Sequence, residues 1–277
     1  MKLATALRLG RVSNLPTIFS NVLVGSLLSG QPLQLSSFLI LLLLISLVYT
    51  GGMFLNDAFD ADYDRINQPE RPICRGEVTI KEVFVSGFIL LTLANFLTIL
   101  FAPNLSAVLA MFMLSLSVVF YNWHHKLNSL SVYVMALCRA LIYIVSGLMV
   151  SELWTIEQTF AVVVLALWVI GLTSFAKGLA LKNYLVFLSL SIFLLVGYTF
   201  YTNSEKLFFV IIVVGMLIFW HYIQYQKYHR GITPLLIADI SLLDTWVVFC
   251  ISMGSYAFFT LAAFGLSRYL QQYISGD

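Results

Sequence analysis

This chain has little charge. Only 10% of its 277 residues are charged, against 60% hydrophobic, and the mean hydropathy is +0.93. A soluble domain carries about a quarter charged residues, so this chain cannot cover a water-facing surface, and lipid must be its solvent over most of its area. Cysteine is sparser still. Cys74, Cys138 and Cys250 lie far apart in no metal-ligand spacing and read as free thiols. The net charge of +2 is too small to point to a nucleic-acid partner. Acidic residues are missing altogether from 158 to 204.

What the chain does have is apolar runs of membrane-spanning length, which predict helices rather than the short alternating strands of a barrel. Nine spans are expected, near 15–30, 36–55, 81–101, 105–121, 130–150, 157–176, 183–201, 206–224 and 241–264. Turn residues or charge separate them, as at Gly30-Gln31-Pro32, Pro103-Asn104 and Asn203-Ser204. No linker divides the chain, so residues 1–277 are read as one all-α, polytopic transmembrane bundle.

Charge placement orients it. With nine spans and a cytoplasmic N-terminus, twelve Lys and Arg residues fall inside, from Lys2 to Arg230, and only Lys206 and Arg268 fall outside. The longer, more polar connections share the basic side, so an active site is expected to open toward the cytoplasm. Arg139 stands apart, about nine residues or roughly 13 Å into the fifth span. An intramembrane charge is costly and by default functional. Two readings stay open for it: a residue lining a substrate pocket, or one half of an ion pair with Asp239 or Asp244 at the start of the ninth span.

The second span ends in Asn56-Asp57-Ala58-Phe59-Asp60-Ala61-Asp62-Tyr63-Asp64, and seven of the thirteen carboxylates lie between Asp57 and Glu82. Asn56, Asp60 and Asp64 are spaced i, i+4, i+8, so a continuing helix stacks them on one face, with Asp57 near that face and Asp62 pointing away. Oxygen groups stacked this way repel unless a cation sits between them. Two carboxylates and an amide are hard ligands suited to Mg2+, which completes its shell with water and substrate phosphate. The plainer reading is a solvated helix end. Arg65, Arg71 and Arg75 follow in a loop shaped by Pro69, Pro72 and Gly76, and a guanidinium fork binds phosphate oxygens well. His124 and His125, beside Lys126, are expected to be interfacial groups.

This stretch, Asn-Asp-x-x-Asp-x-x-x-Asp followed by Arg, Asn, Arg-Pro and Gly, resembles the first signature of the UbiA prenyltransferase superfamily. Arg11 with Asn21 and Gly25 resembles that family's first helix. Tyr121 followed by Lys126 resembles its segment after the fourth. The likeness runs over most of the chain, but its specific part is residues 56–76. It implies a UbiA-like bundle of about nine helices with an acidic cavity facing the cytoplasm, expected in the bacterial inner membrane. It also implies Mg2+ on Asn56, Asp57, Asp60 and Asp64, carrying a prenyl diphosphate. Asp60, Asp64 and Lys126 would then be catalytic, Arg11, Asn21 and Arg71 would bind substrate, and an aromatic or lipid-like acceptor would take the isoprenoid.

The family's second Asp-rich motif, between helices six and seven, has no counterpart. Residues 173–183 there contain Lys177 and Lys182 and no carboxylate. Two consequences are possible. Lys177 and Lys182 replace a metal as cationic partners of the diphosphate, or the chain has lost transfer chemistry and only binds or moves an isoprenoid lipid.

Overall fold

The computed structural model describes residues 1–126, 128–179, 181–202, 233–251, 254–274 and 276, with the side chains of 181–183 left aside. Among them every regular element is a helix. The helices are α1 (Leu3–Leu9), α2 (Leu15–Leu27), α3 (Leu35–Phe59), α4 (Ala61–Asn67), α5 (Ile80–Phe101), α6 (Leu105–His124), α7 (Ser131–Leu148), α8 (Ile156–Ala176), α9 (Leu181–Thr202), α10 (Thr233–Cys250) and α11 (Ala257–Leu270). Seven are long and apolar enough to cross a membrane. Phe88, Ile89 and Phe96 on α5 and Phe112 on α6 stand exposed, as the outer face of a multi-pass membrane protein requires. The expected span near 206–224 lies outside the described residues.

The sequence marks where the helices start. Thr79 and Glu82 close a reciprocal capping box at α5, Thr155 and Gln158 do the same at α8, and Asn104 caps α6. Small residues let the helices approach closely, as is usual in membranes. A Cβ on Gly25 of α2 would lie 2.8 Å from Ser146 Cβ and 2.9 Å from Tyr143 Cα of α7. Gly25→Val is therefore expected to destabilise the bundle by about 1–3 kcal/mol, read as a lowered unfolding midpoint in detergent. An unchanged midpoint would mean that α2 and α7 do not pack as described.

One expectation is corrected. The single span at 241–264 is in fact an antiparallel hairpin. α10 begins earlier, at Thr233, the chain turns after Cys250, and α11 runs back. Thr245 Oγ1 donates to Thr260 Oγ1 at 2.8 Å across the pair. The Gln271 amide beyond α11 donates to Pro234 O at 2.8 Å and to Asn14 Oδ1 at 3.1 Å, so the chain returns to the end where α2 and α10 begin. Arg268 therefore sits with the basic end of the bundle. Asp239 and Asp244 lie within α10 rather than at its start, both fully buried.

Candidate active site

At the same end, α3 passes into α4 without losing the helical ladder. Asp60 N donates to Asn56 O at 2.9 Å and Asp64 N to Asp60 O at 2.8 Å. Asn56, Asp60 and Asp64 thus occupy successive turns of one face, all three buried. Asp62 points outward and pairs only with Arg65, at 3.0 Å.

Cations surround this face. Arg71 Nη1 lies 2.8 Å from Asp57 Oδ1 and 2.9 Å from Asp64 Oδ2. Arg11 Nη2 lies 3.0 Å from Asp57 Oδ1 and donates to Asn56 Oδ1 at 3.1 Å. From the connection between α6 and α7, Lys126 Nζ reaches Asp60 Oδ2 at 3.1 Å while standing 4.0 Å above the Tyr63 ring. Asp57 is therefore clasped by two guanidinium groups. The Asn56 amide is oriented on both sides, since its Nδ2 donates to Asn122 Oδ1 at 3.2 Å and Asn122 donates to Gly52 O at 2.9 Å.

Arg11 has φ 41° and ψ 50°, the only non-glycine positive φ among the described residues. A left-handed arginine costs on the order of 1 kcal/mol or more and tends to occur where function holds it. Here it turns the guanidinium from the start of α2 toward α3.

Arg11, Asn56, Asp60, Arg71, Asn122 and Lys126 line the mouth of a cavity of about 840 Å3, and Asp57 and Asp64 adjoin it through Arg71. Its walls are apolar farther in, with Ile18, Ile45, Val48, Leu114 and Leu172, and Tyr49 and Tyr121 also line it. Arg139 lines it too. Its Nη1 donates to Asn21 Oδ1 at 3.0 Å and to Thr17 Oγ1 at 3.4 Å. Asn21 Nδ2 donates to Asp244 Oδ2 at 2.8 Å, and Tyr143 OH donates to the other oxygen of Asp244. Arg139 thus lines the cavity, and the Asn21 amide stands between its guanidinium and the Asp244 carboxylate. Asn21 orients Arg139 within this network.

Lys177 lines the cavity, but its ammonium donates to His125 O, Asn128 O and Ser131 Oγ. The Lys182 side chain lies outside the described residues. Sequence reasoning missed two groups. His125, expected to be interfacial, is buried with Nε2 3.4 Å from Asp60 Oδ2, and its adjacency to Lys126 was the available signal. Asn122, one helical turn before Lys126, carried none.

The donor set fits Mg2+ as a shared ligand. Asp64 Oδ1 is buried with no hydrogen-bond partner, a costly state for a carboxylate oxygen. Among the described residues no three His, Cys, Asp or Glu side chains could hold an ion by themselves. Mg2+ takes one or two carboxylates and completes its shell with phosphate and water. Charge balance is uneven along the face. Burial pushes the Asp60 carboxyl up, but His125 and Lys126 outweigh it and leave the pKa below the ordinary value. Burial raises Asp64, and Asp60 and Asp57 add to this against the pull of Arg71 and Lys126. A carboxylate with a raised folded pKa takes up a proton on folding. Asp64's own contribution to the stability of the metal-free protein is therefore expected to grow as pH falls from above its folded pKa toward 3.8, against the opposite contribution of Asp60. Asp64→Asn should remove that gain in a pH series of unfolding midpoints.

Residues 18–176, more than half of the chain, match the UbiA prenyltransferase family. The chain belongs to that family. Relatives include the digeranylgeranylglyceryl phosphate synthase of Saccharolobus solfataricus, 28% identical over 122 residues, or 44% of this chain and 43% of that protein. The enzyme of the same name from Methanocaldococcus jannaschii is 33% identical over 99 residues, 35% of each chain. The matched part is thus less than half the length of these relatives. The fold match is wider. A UbiA homolog from Archaeoglobus fulgidus bound to GPP and Mg2+ superposes with a TM-score of 0.65 at 16% identity, over 91% of this chain and 99% of the other. A digeranylgeranylglyceryl phosphate synthase structure gives 0.61 at 20% identity, over 95% and 99%.

Proposed function

We propose that this UbiA family member transfers an isoprenoid chain from a prenyl diphosphate to an acceptor inside the membrane, with Mg2+ bound at Asn56, Asp60 and Asp64. One observation carries the reading: Asn56 and Asp60 line the cavity with Arg71 and Lys126, and Asp64, on the next turn of the same face, is held by Arg71 with one buried carboxylate oxygen unpartnered. The A. fulgidus homolog with GPP and Mg2+ supports it.

Mg2+ would neutralise the charge that develops on the departing diphosphate. The protein's own groups do the rest. Arg71 and Lys126 bind diphosphate oxygens, and fixed cations aimed at a leaving group lower its barrier to departure. Lys126 would exchange Asp60 for phosphate, so the mouth stays close to neutral when ligand enters. Asp57 keeps Arg11 and Arg71 in place. The apolar inner wall excludes water from the allylic cation, whose charge the faces of Tyr49 and Tyr121 can stabilise. On this reading the basic, site-bearing end faces the cytoplasm.

The test is release of diphosphate from a labelled prenyl diphosphate by purified protein. The names of the relatives make a prenylated glyceryl phosphate the first acceptor to try, with an aromatic acid as the second. Turnover is expected with Mg2+ and is expected to fall to background after EDTA. A second reading, a lipid-binding or transport protein on the same fold, is favoured by the missing carboxylate at 173–183. Saturable binding without turnover on either acceptor would establish that reading instead.

A further inference from the structure

We infer that Lys177 is a positioning residue. It clasps the connection between α6 and α7 so that Lys126 and His125 are held against the acidic face, and it does not itself touch the diphosphate. The inference rests on the prenyl-diphosphate reading above and assigns a job to the lysine that stands in an acid-free stretch.

The geometry is specific. Lys177 is the C-cap of α8, its own N–H bonded to Thr173 O at 3.0 Å. Its ammonium crosses to the C-terminal end of α6, where His125 is the cap. The last carbonyls of α8 are bonded by the N–H groups of Lys177, Gly178 and Leu179, so the ammonium is given wholly to the carbonyl-rich end of α6, where the helix carries partial negative charge. An ammonium has three donors, and His125 O, Asn128 O and Ser131 Oγ occupy all three, the second at 3.0 Å. Ser131 closes the clasp, its hydroxyl donating to Asn128 O at 2.6 Å and its N–H to the same oxygen at 3.3 Å. With every donor engaged, Lys177 has no N–H left for a phosphate oxygen unless the clasp opens.

The clasped residues are the ones that count. His125 gives its carbonyl to Lys177 and its ring to Asp60, and the next residue, Lys126, reaches Asp60 at 3.1 Å. Lys126 also stands 4.0 Å above the Tyr63 ring, and the clasp fixes the backbone from which this flexible side chain reaches both partners. Fixing a binding group in advance lowers the ordering cost of ligand capture.

The experiment compares wild type, Lys177→Met, Lys177→Arg, Lys126→Met and the Lys126/Lys177 double variant, reconstituted in nanodiscs. Hydrogen exchange of the 125–131 amides is read without ligand, and Kd is read for a non-hydrolysable prenyl thiolodiphosphate with Mg2+. Lys177→Met is expected to speed exchange there and weaken binding about tenfold. Lys177→Arg, which keeps charge and donors, should recover part of both. In the Lys126→Met background the Lys177 change should add nothing further. Additive losses would show Lys177 acting on the diphosphate directly, and unchanged exchange would show that no clasp exists. Either overturns the inference. Faster exchange in Lys177→Met beside a wild type that binds no prenyl ligand would instead bring down the transferase reading, and the positioning role with it.

Discussion

Asp64→Asn is expected to lower diphosphate release by about 100- to 1000-fold, the scale seen when one preorganised charge-stabilising group is removed from a site. The substitution keeps the side chain's size and leaves an oxygen for Arg71. What it removes is the negative charge and the unpartnered Oδ1, the only carboxylate oxygen on this face that the protein leaves buried without a partner. Asp60→Asn should act on the same scale, since it also frees Lys126. Asp62→Asn is the control. That side chain is 91% exposed and paired only with Arg65, so its loss should change the rate by no more than about twofold. Equal losses from Asp62→Asn and Asp64→Asn, measured as initial rates at saturating prenyl diphosphate, would mean that helical register does not define the site.

The second large effect lies deeper in the bundle. Asp244→Ala leaves Arg139 buried in the membrane interior, its counter-charge gone and Asn21 without its acceptor. Breaking a buried pair on one side costs about 3–5 kcal/mol, and hydrocarbon surroundings give the stranded guanidinium no cheap escape. The expected result is a large fall in the unfolding midpoint, or failure to accumulate folded protein. Removing both charges together, as Arg139→Met with Asp244→Leu, should recover much of the loss, because an apolar replacement strands no charge. If the double variant is as unstable as Asp244→Ala alone, Asn21 does not couple the two residues. Activity in the rescued variant reports separately on whether Arg139 serves the cavity it lines.

Much of the bundle can be read from hydropathy, because backbone in lipid must bond within its own segment and long apolar runs have few alternatives to helix. Helices α3 and α5 through α8 fall within a few residues of the predicted spans. The reading failed at α10 and α11 for a physical reason. Residues 251–254 read Ile-Ser-Met-Gly, apolar enough in sequence to merge two helices into one window. Pro234 lies one residue inside the start of α10, where its missing N–H leaves no bond unmade. The spacing Asn56, Asp60, Asp64 predicted a shared face because helix period alone fixes it. Spacing could not show that Arg11 turns back onto Asn56 and Asp57, since that contact needs a left-handed residue at the foot of α2. Nor could it show that Asp57 faces two arginines, or that Asn122 braces Asn56 from a helix 66 residues away. Tertiary approach decides all three.

The central claim is that the α3–α4 face and its opposing cations hold a divalent ion together with a prenyl diphosphate. The most direct measurement is an anomalous difference map of the protein with Mn2+, in place of Mg2+, and a non-hydrolysable prenyl thiolodiphosphate. The account predicts a metal peak at about 2.1 Å from oxygens of both Asp60 and Asp64, with phosphate oxygens against Arg71 and Lys126. A bound prenyl ligand with no metal at those two carboxylates, or with its diphosphate turned away from Arg71 and Lys126, would contradict it.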